Sequence, residues 1–132
     1  GKGSGKTQVA GGDFQYTLRV QRATPDGFSI VTGTDRFLGT ATAEGLAGGV
    51  VGLTNVVPET MCEIREAARR GDPDRARELR ESEVDPLLDA VDEHGYVPLL
   101  KRVLAERGVI ESPAVRPPLT AAPAEAVVGL LD

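Results

Sequence analysis

The chain has 132 residues, 40% of them hydrophobic and 27% charged, with a formal net charge of −5. That length suits one domain and falls short of the roughly 200 residues a complete (β/α)8 barrel needs, while the apolar content excludes a fully disordered chain. The mixed, net-negative charge argues against a general nucleic-acid binder, and no stretch approaches the ~20 apolar residues of a membrane span.

Residues 1–12 contain five glycines and no hydrophobic period. They predict a flexible leader with a strand stub at 7–10. The start lacks an initiator Met and the apolar core of a signal peptide. It reads as a processed start or a fragment edge, with a cytoplasmic location as the default. Asp13 is a good N-cap, and Phe14, Thr17, Leu18 and Gln21 follow at helical spacing, which predicts a helix over 14–23. Pro25-Asp26-Gly27 is a turn, because Pro fixes φ and Gly accepts a positive one. The run 28–31 predicts a strand ending at Gly33. Asp35 is expected to cap a second helix reaching Glu44, with Gly45 as its stop. The apolar run 48–53 fits a buried parallel strand. Pro58 opens a third helix that places Met61, Ile64 and Ala68 on one face.

From Asp72 onward the pattern is helical only. One helix is expected to start at Asp72-Pro73-Asp74 and run along Ala76, Leu79, Glu83, Leu87 and Val91. A second opens at Pro98 and turns Leu100, Val103 and Leu104 inward, ending at Gly108. A third starts at Thr120 or Pro123 and ends in Val127, Val128, Leu130 and Leu131. Arg116-Pro117-Pro118 reads as an extended linker. Strands alternating with helices imply parallel pairing through βαβ crossovers. The expected organisation is a leader over 1–12, βα units over 13–71 and a helical extension over 72–132.

Few residues carry obvious chemistry. Cys62 and His94 are each alone, which excludes an intrachain disulfide, a cysteine zinc site and a histidine cluster. Cys62 is expected to be a small buried apolar side chain. Gly5-Lys6-Thr7 matches the end of a phosphate-binding loop. It lacks the preceding strand, and Gly11-Gly12 interrupts the helix that should follow, so a glycine-rich leader is the better reading. Ligands of parallel α/β folds gather at the C-terminal ends of strands. Gly33-Thr34-Asp35 and residues 50–55 occupy such ends.

Taken together, Gly33-Thr34-Asp35, then 45–55 (GLAGGVVGLTN), then Pro58 resemble the last strands of the dihydrodipicolinate synthase and N-acetylneuraminate lyase family, the class I pyruvate-dependent aldolases. Gly71-Asp72 with Ala76 and Leu79, Val97-Pro98 with Lys101, Gly108-Val109-Ile110 and Arg116-Pro117-Pro118-Leu119 resemble its downstream segments. The similarity runs from about residue 11 to the end. It implies an α/β fold: a partial (β/α)8 TIM barrel, its last two or three βα units, followed by a three-helix extension.

The resemblance implies a lyase or aldolase that holds pyruvate as a Schiff base on a lysine, whose protonated imine is an electron sink for carbon–carbon chemistry. Burial must free that amine near neutral pH. Placing the family's Gly-Asp on Gly12-Asp13 puts Gln8 at the lysine position, and an amide nitrogen is not nucleophilic. Lys6, two residues earlier on the same strand face, is the remaining candidate. Gly33 and Val50 correspond to walls of the pyruvate pocket. The family's carboxylate-binding segment and its tyrosine are not found here, and Tyr16 does not match that tyrosine. His94-Gly95-Tyr96 departs from the family's E-P-N-P and tilts the substrate toward a sugar acid. The partners implied are pyruvate or another 2-keto acid, and a homo-oligomer or a complementing barrel half, with no nucleic acid, membrane, metal or organic cofactor. The alternative is a catalytically inactive remnant used for binding or assembly.

Overall fold

The computed structural model describes residues 5–130. Three strands, β1 (Gly5–Val9), β2 (Phe28–Thr32) and β3 (Gly48–Gly49), form a parallel sheet in the order β1-β2-β3. Lys6 pairs with Ser29, Gln8 with Val31 and Val31 with Gly48. Between the strands lie α1 (Phe14–Ala23) and then a 3-10 turn (Asp35–Phe37) running into α2 (Leu38–Ala43). A second 3-10 turn (Gly52–Asn55), α3 (Pro58–Arg69) and α4 (Pro73–Leu79) follow. Among the described residues no helix is long and apolar enough to cross a membrane.

Alternation along the strands sends Val9 and Ile30 to one side, where they pack with Ala41 and Leu46 and against Phe14, Val20 and Phe28. The other side carries Lys6, Gln8, Ser29 and Val31 by the same alternation, and helices do not cover it: Lys6, Gln8 and Ser29 are exposed. Phe14 and Phe37 meet with ring centroids 5.1 Å apart, a favourable tilted geometry. Gly49 permits the close approach of α2 to the sheet, since a Cβ there would lie 2.8 Å from Leu38 Cδ1.

Several expectations hold. Asp13 caps α1, its carboxylate accepting from the Tyr16 N–H. Pro58 opens α3, whose Met61, Ile64 and Ala68 are buried, and Gly71 follows it at φ +81°. Others are corrected. Within the leader read over 1–12, the strand stub expected at 7–10 is a five-residue strand, Gly5–Val9, because β2 offers a full parallel ladder to pair with. Lys6-Thr7 therefore lies within a strand and not in a phosphate loop; residues 1–4 fall outside the described ones. The run 48–53 forms only two strand residues. The Val50 N–H still reaches Thr32 O at 2.9 Å, and there β2 ends. Cys62 is exposed rather than buried.

The single helix expected over 73–91 is interrupted. A π-helical turn (Arg80–Val84) separates α4 from α5 (Asp85–His94). Pro86 has no N–H to donate, which breaks a continuous ladder. The wider turn rephases the face, so Val84 is fully buried while Glu83 is exposed. The chain divides into two compact units, a first that extends through Arg80 and takes in α4, and a second that starts at Glu81. In the second unit, Gly95 at φ +90° joins α5 to α6 (Tyr96–Glu106), and Leu87, Leu88, Leu99 and Val103 are buried. The remaining chain is tied back to α6: Arg102 Nε donates to Ala122 O at 2.8 Å, and Lys101 Nζ to Ala114 O. Residues 116–119 make a turn rather than an extended linker, with Leu119 N–H donating to Arg116 O. The last helix is reduced to a 3-10 turn (Ala124–Val127) that buries Val127 and leaves Val128 exposed. Leu131, expected at its end, lies outside the described residues.

Candidate site at the C-terminal strand ends

The three strands end at Val9, Thr32 and Gly49, so residues 10–12, 33–35 and 50–53 gather at one edge of the sheet. Backbone bonds hold them level: Gly33 N–H donates to Val9 O at 2.7 Å and Val50 N–H to Thr32 O. Side chains then cross-link the loops. Thr34 Oγ1 donates to Gly11 O at 2.8 Å, and Thr34 N–H reaches Thr32 Oγ1 at 3.2 Å. Asp35, expected as a helix cap, is buried and accepts from the Leu53 N–H at 2.9 Å. It fastens the β2 loop to the β3 loop, 18 residues along the chain. A charge-assisted bond of this kind is stronger than a neutral one.

Gln8 lies at the centre of this edge. Its Nε2 donates to Val50 O at 2.8 Å across 42 residues. A Cβ on Gly33 would stand 2.6 Å from that nitrogen and 2.6 Å from Ala10 Cβ. The amide therefore occupies the space that glycine leaves open. Three of the positions picked out in the sequence, Gln8, Gly33 and Val50, thus meet at the ends of the three strands. Lys6 stands two residues before Gln8 on the same face and is exposed. Val50 is 62% exposed and adds an apolar rim. Tyr16 is exposed on α1.

The Gln8–Val50 bond and the Asp35–Leu53 clasp escaped sequence reasoning. No local signal announces them, since each joins residues far apart in the chain. A cleft of about 290 Å³ lies among α2, α3 and α4 and reaches the candidate site at Asp35. Gly39, Ala43, Ala68 and Ala76 line it, and these small side chains leave the helices short of packing volume. Asp35, Arg36, Arg77 and Arg80 also line it. Among the described residues no three His, Cys, Asp or Glu side chains converge on a metal position.

Residues 6–128 match the model of the dihydrodipicolinate synthetase family. Over 111 residues the chain is 38% identical to a 4-hydroxy-tetrahydrodipicolinate synthase of Methanopyrus kandleri, covering 83% of this chain and 36% of that protein. It is 31% identical over 108 residues to 4-hydroxy-tetrahydrodipicolinate synthase 2 of Clostridium acetobutylicum, covering 82% of this chain and 37% of that protein. Among solved structures, N-acetylneuraminate lyase from Fusobacterium nucleatum superposes with a TM-score of 0.76 at 25% identity, over 92% of this chain and 40% of that one. A 2-keto-3-deoxygluconate aldolase variant of Sulfolobus solfataricus gives 0.80 at 21% identity, over 96% and 42%, a likeness of fold. The chain thus spans little more than a third of the length of the curated relatives it matches.

Proposed function

Since the chain belongs to the dihydrodipicolinate synthetase family, we propose that it is a fragment or subunit of a lyase or aldolase acting on pyruvate and other 2-keto acids. Its three strands serve as the last strands of a (β/α)8 barrel, and its second unit as the helical extension. The observation that carries this reading is the convergence of Gln8, Gly33 and Val50 at the C-terminal strand ends, where barrel enzymes hold their substrates. The uncovered face bearing Lys6 and Gln8 becomes the barrel interior once a complementing segment supplies the other strands. That segment comes from a separate chain or from a longer form of this one, and the working assembly is an oligomer in the cytoplasm.

Lys6 is the amine for a Schiff base in this reading. An imine-forming amine needs a dry setting, and Lys6 is exposed here, so the complementing segment has to cover it. Gln8 favours the second reading. An amide in the lysine position cannot make the imine, which leaves a catalytically inactive module that binds or assembles. Reduction with borohydride in the presence of pyruvate, followed by intact mass and peptide mapping, separates the two. A reduced pyruvyl adduct on Lys6 is the outcome expected of the lyase. An unmodified, folded assembly turns the assignment to the binding module.

A further inference from the structure

We infer that Gln8 is a ligand-contacting residue of this site: an anchored amide that hydrogen-bonds the oxygens of a small keto or hydroxy acid without forming a covalent bond. The inference rests on the keto-acid reading of the strand ends and deepens it.

The orientation of the amide follows from its partner. Val50 O can only accept, so the NH2 end of Gln8 faces it, at 2.8 Å. One N–H is used there and the second remains. The carbonyl end, Oε1, points away from Val50 and is an acceptor. Gly33 contributes by absence, since any Cβ would collide with Nε2. A glutamine so held has lost most of its rotamer freedom before a ligand arrives, and an ordered donor costs less to engage than a free one. Gln8 is nevertheless exposed. A pinned amide that only stitched strands together would be expected to turn both ends into protein. This one presents a donor and an acceptor side by side on the open face.

The neighbours narrow the ligand. Lys6 precedes Gln8 by two residues on the same face, ~6.6 Å along the strand, and its four-carbon stem spans that distance. Ser29 pairs with Lys6 in the ladder, and Val31 with Gln8. The face therefore offers an ammonium, a hydroxyl, an amide and the apolar surfaces of Val31 and Val50. A short acid with a carboxylate for Lys6, a carbonyl or hydroxyl for Gln8 and a small alkyl part for the valines matches that order. In the lyase reading Gln8 steadies the oxygen leaving or entering the imine carbon on Lys6. In the module reading it holds the intact keto acid.

The test uses the full chain, with its complementing segment where one is found. [2-13C]Pyruvate is titrated against wild type, Gln8→Leu and Gln8→Glu, and binding is read from ligand linewidths and protein amide shifts. Circular dichroism establishes that each variant is folded. The bond lost is one to a neutral carbonyl or hydroxyl, so both variants are expected to bind about 3–10-fold more weakly, whether or not borohydride traps an adduct. Gln8→Glu keeps the size of the side chain but removes the donors and adds a like charge. Equal binding by wild type and both folded variants overturns the role of Gln8 and leaves the keto-acid reading standing. A wild type that neither binds nor traps pyruvate overturns both.

Discussion

Asp35 illustrates how a residue easily assigned from sequence is used differently by the fold. Acidic residues after a strand commonly cap the next helix, yet its carboxylate is buried and takes the Leu53 N–H at 2.9 Å. That bond spans two loops of the candidate site. Leu53 itself is fully buried, so its amide has no water to fall back on. Replacing Asp35 by Ala leaves a buried donor unmet, at a cost of about 1–3 kcal/mol. Asn keeps an oxygen in place and is expected to cost less. Urea unfolding followed by circular dichroism reads the order wild type, Asn, Ala in falling midpoint; an Ala variant as stable as wild type would show that the clasp contributes nothing. Cys62 is the opposite case. Its chemistry suggested a buried position, but on α3 it falls on the exposed side of a helix whose core face is Met61, Ile64 and Ala68.

At the scale of elements, local chemistry is decisive where it is self-contained. The span of α1 is bounded by an Asp13 cap and the turn at Pro25, both local signals, and it was legible to the residue. Replacing Asp13 by Ala removes the acceptor of the Tyr16 N–H and is expected to cost about 1 kcal/mol. Hydrogen exchange should quicken at the Tyr16 amide more than in the middle of α3; uniform exchange across both helices would contradict the cap. Elements that depend on distant partners were less legible. β1 shows in the sequence only as a strand stub at 7–10 in a glycine-rich segment, and the ladder of β2 starts it two residues earlier, at Gly5. β3 looks like a longer strand, and the end of β2 cuts it to two residues. The π-helical turn at Arg80–Val84 is hidden for a further reason. Its sequence keeps good helix formers, and the sole local mark is Pro86. The same division holds for the site. Gly33 and Val50 are picked out only through the resemblance, whereas the bond that joins Gln8 to Val50 requires all three strands to be placed in one sheet.

Within the first unit, the described residues present a sheet with helices packed on one side. β1 lies at one end of the strand order with a free edge, and the uncovered side exposes Lys6, Gln8, Ser29 and Val50. Natural proteins rarely leave a strand edge and an apolar rim open together, because the edge's unpaired N–H and C=O groups recruit other chains. Lys6 is the kind of charged residue that discourages such pairing, but it is one charge on a five-residue strand. Val50, at 62% exposure, stands where the rim meets the strand ends. The chain without its complement is therefore expected to self-associate, with a weight-average mass above the monomer's 13.9 kDa that rises with concentration in light scattering. Val50→Lys puts a second charge on the rim and leaves the Val50 carbonyl, and so its bond with Gln8, in place. It should shift the mass back toward the monomer without lowering the unfolding free energy by more than about 0.5 kcal/mol. A wild-type chain that stays monomeric across the same range would mean that this face is stable in water as it stands. The need for a complementing barrel half, on which the lyase reading depends, would then lose its physical basis.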